Sequence, residues 1–311
     1  MNITLENKTV AILLCTYEGG LYLQEQLESI AHQTHPHIDV YASDDGSSDS
    51  TLRILKEFQS SWSKGKFVIC KGPQNGFLNN FMSLVFNADI KADYYCYADQ
   101  DDIWEANKVE NSIKQLARFG QSNPLLYCSR TCLVDEAANK IGYSPLFEKT
   151  PSFRNALVQS IGGGNTMTLN QEARNILMQT STCEFISHDW WTYILVSGAG
   201  GQVVYDAYPS VKYRQHAQNI IGGNMSWKAR LFRIKMLFAG RFQQWNDVHM
   251  QSLEQIRHLL TEANQKTLDD FMQARTNPLY KRLFYFLRSR VYRQTLFGNL
   301  GLWVALLMKK L

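Results

Sequence analysis

The first 120 residues alternate short apolar runs with amphipathic stretches. Val10-Ala11-Ile12-Leu13-Leu14-Cys15-Thr16 is apolar almost without interruption, as a strand covered on both faces of a parallel sheet requires. Thr16-Tyr17-Glu18-Gly19-Gly20 breaks the run, and Leu21, Leu23, Leu27 and Ile30 then recur at helical spacing. The alternation continues with a strand over 38–42, a turn over 44–48 and a helix over 51–62. A strand over 67–70, a Gly/Pro/Asn turn and a helix over 77–87 follow, then a strand over 94–98 that leads to Trp104 and a helix near 107–119. Four strands alternating with four helices predict an α/β domain on a mainly parallel sheet. The second half is less regular. Strand material over 125–134 precedes Gly162-Gly163-Gly164-Asn165, a short strand over 166–169 and a helix from Gln171. His188-Asp189-Trp190-Trp191 opens another helix, and strands are expected over 203–208 and 211–214.

In such sheets ligands bind beyond the carboxyl ends of the strands. The polar clusters there are Thr16-Tyr17-Glu18, Asp44-Asp45-Gly46 and the run from Asp99 to Asp102, so all three should gather on one edge. Side chains alternate along a strand, which points Asp99 and Asp101 the same way. Converging carboxylates repel one another unless a cation sits between them, and Mg²⁺ is held by one or two carboxylates plus substrate phosphates. An acidic turn that caps the next helix is the plainer reading of any single cluster. In Asp44-Asp45-Gly46-Ser47-Ser48-Asp49, Gly46 permits a tight turn and Ser48 or Asp49 can cap the helix behind it. Asp44 at the strand end can accept from a pyrimidine ring N–H, as carboxylates accept from base edges elsewhere.

Thr-Tyr-Glu after the first strand, Asp-Asp-Gly-Ser-Ser-Asp-Ser-Thr after the second and Asp-x-Asp-Asp some fifty residues on resemble the family-2 glycosyltransferases of the GT-A fold, over roughly residues 8–220. Tyr97-Ala98-Asp99-Gln100-Asp101-Asp102-Ile103-Trp104-x-x-x-Lys108, His188-Asp189-Trp190-Trp191 and Tyr213-Arg214-Gln215-His216 are similar to the branch that adds rhamnose to bacterial surface polysaccharides. The resemblance implies an inverting transferase that uses a dTDP- or UDP-sugar, dTDP-L-rhamnose first among them, with Mg²⁺ or Mn²⁺ on the diphosphate. It implies that Thr16, Tyr17, Glu18 and Asp44 hold the nucleoside, with Asp99 on the ribose or deoxyribose side. Asp101 and His216 take the metal, and Asp189 is the catalytic base. The family more often has Glu-Asp where this chain has His188-Asp189. Asp102, Trp104, Asn165, His188, Trp190 and Arg214 are expected near the substrates, although Trp104 can equally anchor the Asp101-Asp102 turn and Trp190 can equally pack in the core.

With 45% hydrophobic and 19% charged residues the chain has ample material for a core. The six cysteines are scattered with no Cys-x-x-Cys, which argues for free thiols in a reducing cytoplasm and against a zinc site. Residues 1–8 are polar, so no secretory signal is expected. The longest apolar run, 296–308, is too short to span a bilayer. His32, His35, His37, His249 and His258 show no ligand spacing and are expected at the surface.

The net charge of +4 conceals an asymmetry. Residues 225–311 carry 15 Lys and Arg against 5 Asp and Glu, a balance of +10, which leaves 17 against 23, or −6, for residues 1–224. A domain boundary is placed after Gly222-Gly223, with a transferase domain over 1–224 and a basic helical region over 225–311. On a helical wheel Leu279, Tyr280, Leu283, Phe284, Phe286, Leu287 and Val291 share one face, with Lys281, Arg282, Arg288 and Arg293 opposite and Arg290 among the apolar positions. A basic amphipathic helix with aromatics reads as a membrane-surface element. That places the protein on the inner face of the cell membrane, where a lipid-linked saccharide acceptor would be met; packing on the catalytic domain, or on a second copy in a homodimer, is the alternative. Nucleic acid is not an expected partner, because the basic charge is tied to an apolar face. A silent nucleotide-sugar-binding subunit would keep Asp44 and tolerate loss of Asp189. A nucleotidyltransferase would need a basic Gly-rich loop after the first strand, where this chain has Thr16-Tyr17-Glu18-Gly19-Gly20.

Overall fold

The apolar run near the start of the chain becomes β1 (Val10–Thr16), every residue of which is buried. The computed structural model describes residues 5–216 and 240–311. From β1 the chain alternates through α1 (Leu23–Ala31), β2 (Ile38–Asp44), α2 (Thr51–Ser61), β3 (Phe67–Lys71), α3 (Gly76–Phe86), β4 (Tyr94–Ala98), the two-residue β5 (Ile103–Trp104) and α4 (Lys108–Leu116). β1 pairs in parallel with β2 on one side and β4 on the other, and β2 pairs in parallel with β3. Alternate residues of β1 enter different cores. Ala11, Leu13 and Cys15 face the larger one, while Val10, Ile12 and Leu14 face the other beside α1, α2 and α4.

β6 (Leu125–Val134), β7 (Lys140–Tyr143), α5 (Phe153–Ala156), β8 (Thr168–Asn170), α6 (Gln171–Met178), α7 (His188–Gly198) and β9 (Gln202–Arg214) extend the sheet. Its order is β3-β2-β1-β4-β8-β6-β9-β5, with β7 on β6. The two strands expected over 203–214 are one strand. Beside β9 the register on β6 shifts between Ser129 and Thr131, and Pro209, which has no N–H to give, lies within the shifted stretch. β5 pairs antiparallel with β9, Ile103 opposite Lys212, and this short ladder ties the end of β9 to the turn after β4.

The boundary placed at 224, with Lys228, Arg230, Arg233 and Lys235, lies outside the described residues. From residue 241 the chain forms α8 (Arg241–Gln255), α9 (Glu262–Thr276), α10 (Leu279–Ser289) and α11 (Leu296–Leu307). Met250, Leu253, Phe271, Phe286 and Leu302 of these helices join the same core as Trp191 and Ile194 of α7. Thr261 caps α9 by accepting from the Asn264 N–H, and the Asn264 amide donates to the carbonyls of Ser197 and Gly198 at the end of α7.

Two expectations are corrected here. His249 and His35 are interior: His249 lies edge-on to Trp190 and stacked on Trp191, and burial pushes it down to about 4. The helical wheel had set Arg282 on the polar face of α10, yet Arg282 is buried and donates to the Leu306 and Leu307 carbonyls that end α11. Leu279, Tyr280, Phe284 and Leu287 are exposed instead. Among the described residues no helix is long and apolar enough to cross a membrane.

Candidate active site

The parallel registers set Thr16 beside Asp44 and Leu14 beside Ala98, so the ends of β1, β2 and β4 open onto one edge. There the side chains of neighbouring turns hold one another. Thr16 donates its hydroxyl to Asp44 Oδ2 at 2.9 Å, and Ser47 donates its own to the same oxygen at 2.6 Å. Asp44 Oδ1 accepts from the backbone N–H groups of Gly46 (3.2 Å) and Ser47 (2.9 Å). Glu18, with φ 49°, accepts from the backbone and hydroxyl of Ser48, which fastens the first turn to the second. Asp49 accepts from the Thr51 N–H at the start of α2.

Gln100 was not singled out from the sequence, yet it joins β1 to β4. It accepts from the Tyr17 N–H at 2.8 Å and donates to the Tyr17 carbonyl at 2.9 Å. The ring of Tyr17 is left largely exposed above the cleft. Gln26 and Glu25 were missed too, and Asp45 and Ser47 were named in the turn without a role of their own. Asp45 accepts from the N–H groups of Gln74 and Gly76, and Gln26 donates to the Asp99 carbonyl.

The turn after β4 carries the carboxylates. Burial, then the neighbouring carboxylates of Asp101 and Asp189, push Asp99 up to about 8. Asp101 Oδ2 lies 2.7 Å from His216 Nε2, and the His216 ring packs on Tyr22. Arg214 holds this arrangement from the interior. It donates to the carbonyls of Asp101 (3.0 Å) and Glu136, pairs with Glu25 and lies 4.6 Å from the Tyr22 ring centre. The strand pairing between β5 and β9 brings these residues together.

All six residues expected near substrate are buried. Asp102 is fully buried and accepts from the Asn165 amide at 2.6 Å; burial, then Asp101 and Asp99, hold its carboxyl well above the usual range. Trp104 is buried under the Lys108 ammonium, 3.6 Å from its ring centre. Trp190 packs in the core with its indole N–H on the Ala156 carbonyl at 2.7 Å. These contacts make Asp102, Asn165 and Trp104 supports of the turn.

Asp189 lies in the first turn of α7, where the helix N-terminus favours negative charge. One of its oxygens accepts from the Trp190 N–H. His188 is buried, stacked on Phe81 at 4.1 Å and edge-on to Tyr97, with neither ring nitrogen hydrogen-bonded among the described residues. Burial pushes it down to about 4, so it is neutral. A Cβ on Gly164 would run into its Nε2, which gives the glycine run a packing reason.

A divalent cation suits this donor set. Among the described residues no three His, Cys, Asp or Glu side chains form a metal cluster of their own. Asp101 and His216 supply one oxygen and one nitrogen side by side, and the neighbouring Asp99 carboxyl, pushed up to about 8 partly by Asp101 and Asp189, is relieved by a positive charge. Two protein ligands completed by substrate phosphates is the arrangement Mg²⁺ tolerates.

The sequence matches the family model of Glycosyl transferase family 2 over residues 11–187. This chain belongs to that family. The match runs from β1 to the residue before α7, so it includes the strand-end carboxylates of the transferase. The transferase is 31% identical over 245 residues to the dTDP-rhamnosyl transferase RfbG of Shigella flexneri, which covers 72% of this chain and 78% of that one. Its fold is that of TarS from S. aureus (TM-score 0.56, 13% identity, 97% of this chain and 80% of that chain). It is likewise that of the mannosyltransferase PcManGT from Pyrobaculum calidifontis, solved with GDP-Man and Mn²⁺ (TM-score 0.51, 14% identity, 98% and 88%). The α/β sheet with C-terminal helices is thus the GT-A fold expected from the motifs.

Proposed function

We propose that this transferase moves L-rhamnose from dTDP-L-rhamnose, with inversion, to a saccharide carried on a lipid at the inner face of the bacterial cell membrane, as a step in surface polysaccharide synthesis. The observation that carries the mechanism is the grouping of Asp99, Asp101 and Asp189, with His216 against Asp101. The donor is supported by the 31% identity to a dTDP-rhamnosyl transferase across most of both chains.

Tyr17 and Glu18 border the nucleoside, and Thr16 and Ser47 hold Asp44 for it. Asp44 Oδ2 takes only hydroxyl donors, which can rotate away and let it accept from the pyrimidine ring N–H. Asp99 receives the deoxyribose. Asp101 and His216 would hold Mg²⁺ or Mn²⁺, which would supply Lewis acidity for the departing diphosphate. Asp189 accepts the proton of the acceptor hydroxyl as that oxygen attacks the anomeric carbon from the face opposite the leaving group. Arg214 keeps Asp101 in place from within.

The test is transfer of labelled rhamnose from dTDP-L-rhamnose to lipid extracts of membranes that contain the acceptor, with UDP-sugars in parallel. Product formation that needs Mn²⁺ and fails in Asp189→Asn supports the reading. Transfer from a UDP-sugar alone would move the donor assignment. Donor binding without turnover on any lipid acceptor would favour the silent-subunit reading.

A further inference from the structure

α10 and α11 pack on the larger core through Phe286, Leu302, Ala305 and Leu306, and they meet each other where Phe286 and Trp303 lie edge to face at 4.8 Å. Arg282 strengthens that seam by bonding the carbonyl end of α11. With their inner faces used in this way, both helices turn apolar side chains outward. On α10 these are Tyr280 (70% exposed), Phe284 and Leu287; on α11 they include Leu296, Phe297 (81% exposed) and Leu300. Exposed apolar side chains gathered on two adjoining helices mark an interaction site. Residues 278–311 contain no Asp or Glu, while Lys281, Arg290 and Lys309 are exposed on the same segment.

We propose that the outward face of α10 and α11 seats the enzyme on an anionic bilayer, with Phe297 and Leu300 entering the acyl boundary and Lys281, Arg290 and Lys309 at the headgroups. The charge favours this occupant over a second copy of the chain. In a twofold contact the patch would meet itself, bringing cations against cations with no acidic side chain in the segment to pair them. α11, at 12 residues, is too short to cross, so the pair of helices lies in the interface plane. The proposal deepens the function proposed above and rests on it for the reason the enzyme meets a lipid surface.

The test is sedimentation of the full chain with phosphatidylcholine vesicles that contain or lack phosphatidylglycerol, alongside thermal-shift binding of dTDP-L-rhamnose. Wild-type protein should bind the anionic vesicles and ignore the neutral ones. Phe297→Glu/Leu300→Glu should weaken binding on the order of 100-fold, about tenfold for each buried apolar side chain. Lys281→Glu/Lys309→Glu should lower it about fivefold per lost charge. All four positions are exposed, so the melting transition and donor binding should be retained. Leu287→Glu on α10 gives the same readout should the double variant misfold. The proposal is overturned if wild-type protein ignores anionic vesicles, or if Phe297→Glu/Leu300→Glu binds them undiminished. A dimer in solution that this variant splits, without vesicle binding, would assign the face to a second copy instead. Vesicle binding without donor binding would sink the proposed function and leave this surface standing.

Discussion

Arg214→Met is the sharpest probe of how the cleft is held together. The guanidinium is buried and donates to the carbonyls of Asp101 and Glu136, pairs with Glu25 and stacks on Tyr22. Methionine keeps most of the apolar stem and removes every polar contact. Two hydrogen bonds from a charged donor are worth about 1.5–3 kcal/mol each. The Tyr22 contact adds about 0.5–1 kcal/mol. Glu25 is nearly half exposed, so its pair adds less than about 1 kcal/mol. Rehydration of the freed carbonyls returns part of this, leaving a loss of about 3–4 kcal/mol. At about 2.1 cal/mol/K per residue for 311 residues, the melting temperature should fall by about 5 °C. Urea unfolding followed by tryptophan fluorescence measures the loss, and Mn²⁺-dependent donor binding should weaken with it because Asp101 and His216 lose their mutual setting. Arg214→Lys restores the charge without the fork and should recover less than half of either quantity. Stability within about 0.5 kcal/mol of wild type, with donor affinity unchanged, would refute the supporting role.

Asp189→Asn should lower kcat about 10²–10⁴-fold while the donor Kd stays put, measured by steady-state transfer and calorimetry; equal turnover removes the base assignment. Asp101→Ala, or chelation of wild type by EDTA, should abolish the stabilisation that donor plus Mn²⁺ gives in a thermal-shift assay, whereas donor without metal should shift both proteins alike. Because Asp99 holds its proton to about pH 8 when folded and releases it near pH 4 when unfolded, the native state binds more protons in that window. Below about pH 6.5 the buried His188 and His249, which protonate only when unfolded, add the opposite slope, so the test window is pH 7 to 8. There metal-free protein should lose stability as pH rises, Mn²⁺ should restore it, and a stability that rises with pH would contradict the raised carboxyl of Asp99. Gly164→Ala should destabilise the fold by driving into His188, and His188→Ala in the same chain should recover much of the loss; additive effects in the double-mutant cycle would mean the two do not touch.

Much of the fold was legible because its signals are local. Apolar runs marked β1 and β4, and acidic turns at strand ends fell on one edge because parallel strands end on one side. Contacts between distant segments were not legible. Gln100 can bond the Tyr17 backbone only because Gly19 has no side chain in the way, a fact about two turns some eighty residues apart. β5 is too short for a period to show, yet it decides where His216 goes. A helical wheel identifies the two faces of α10 without saying which one is covered. The carbonyl end of α11 captures Arg282 and so turns the apolar residues outward. His249 shows the same limit: nothing near it in sequence announces the tryptophans of α7 that enclose it.

The ladder between β5 and β9 also has a consequence for how the protein is made. A nascent chain that has left the ribosome as far as residue 201 already contains Thr16, Asp44, Asp99, Asp101 and Asp189, and its first four strands can pair. The strand that delivers Arg214 and His216 has yet to emerge, so the acidic turn waits with its charges uncompensated. Competence arrives late and all at once, when a segment more than a hundred residues downstream closes onto that turn. Closing such a span is the slow kind of step in folding, and under the roles proposed for Asp101 and His216 a product that stops before β9 has no means to hold the diphosphate's metal.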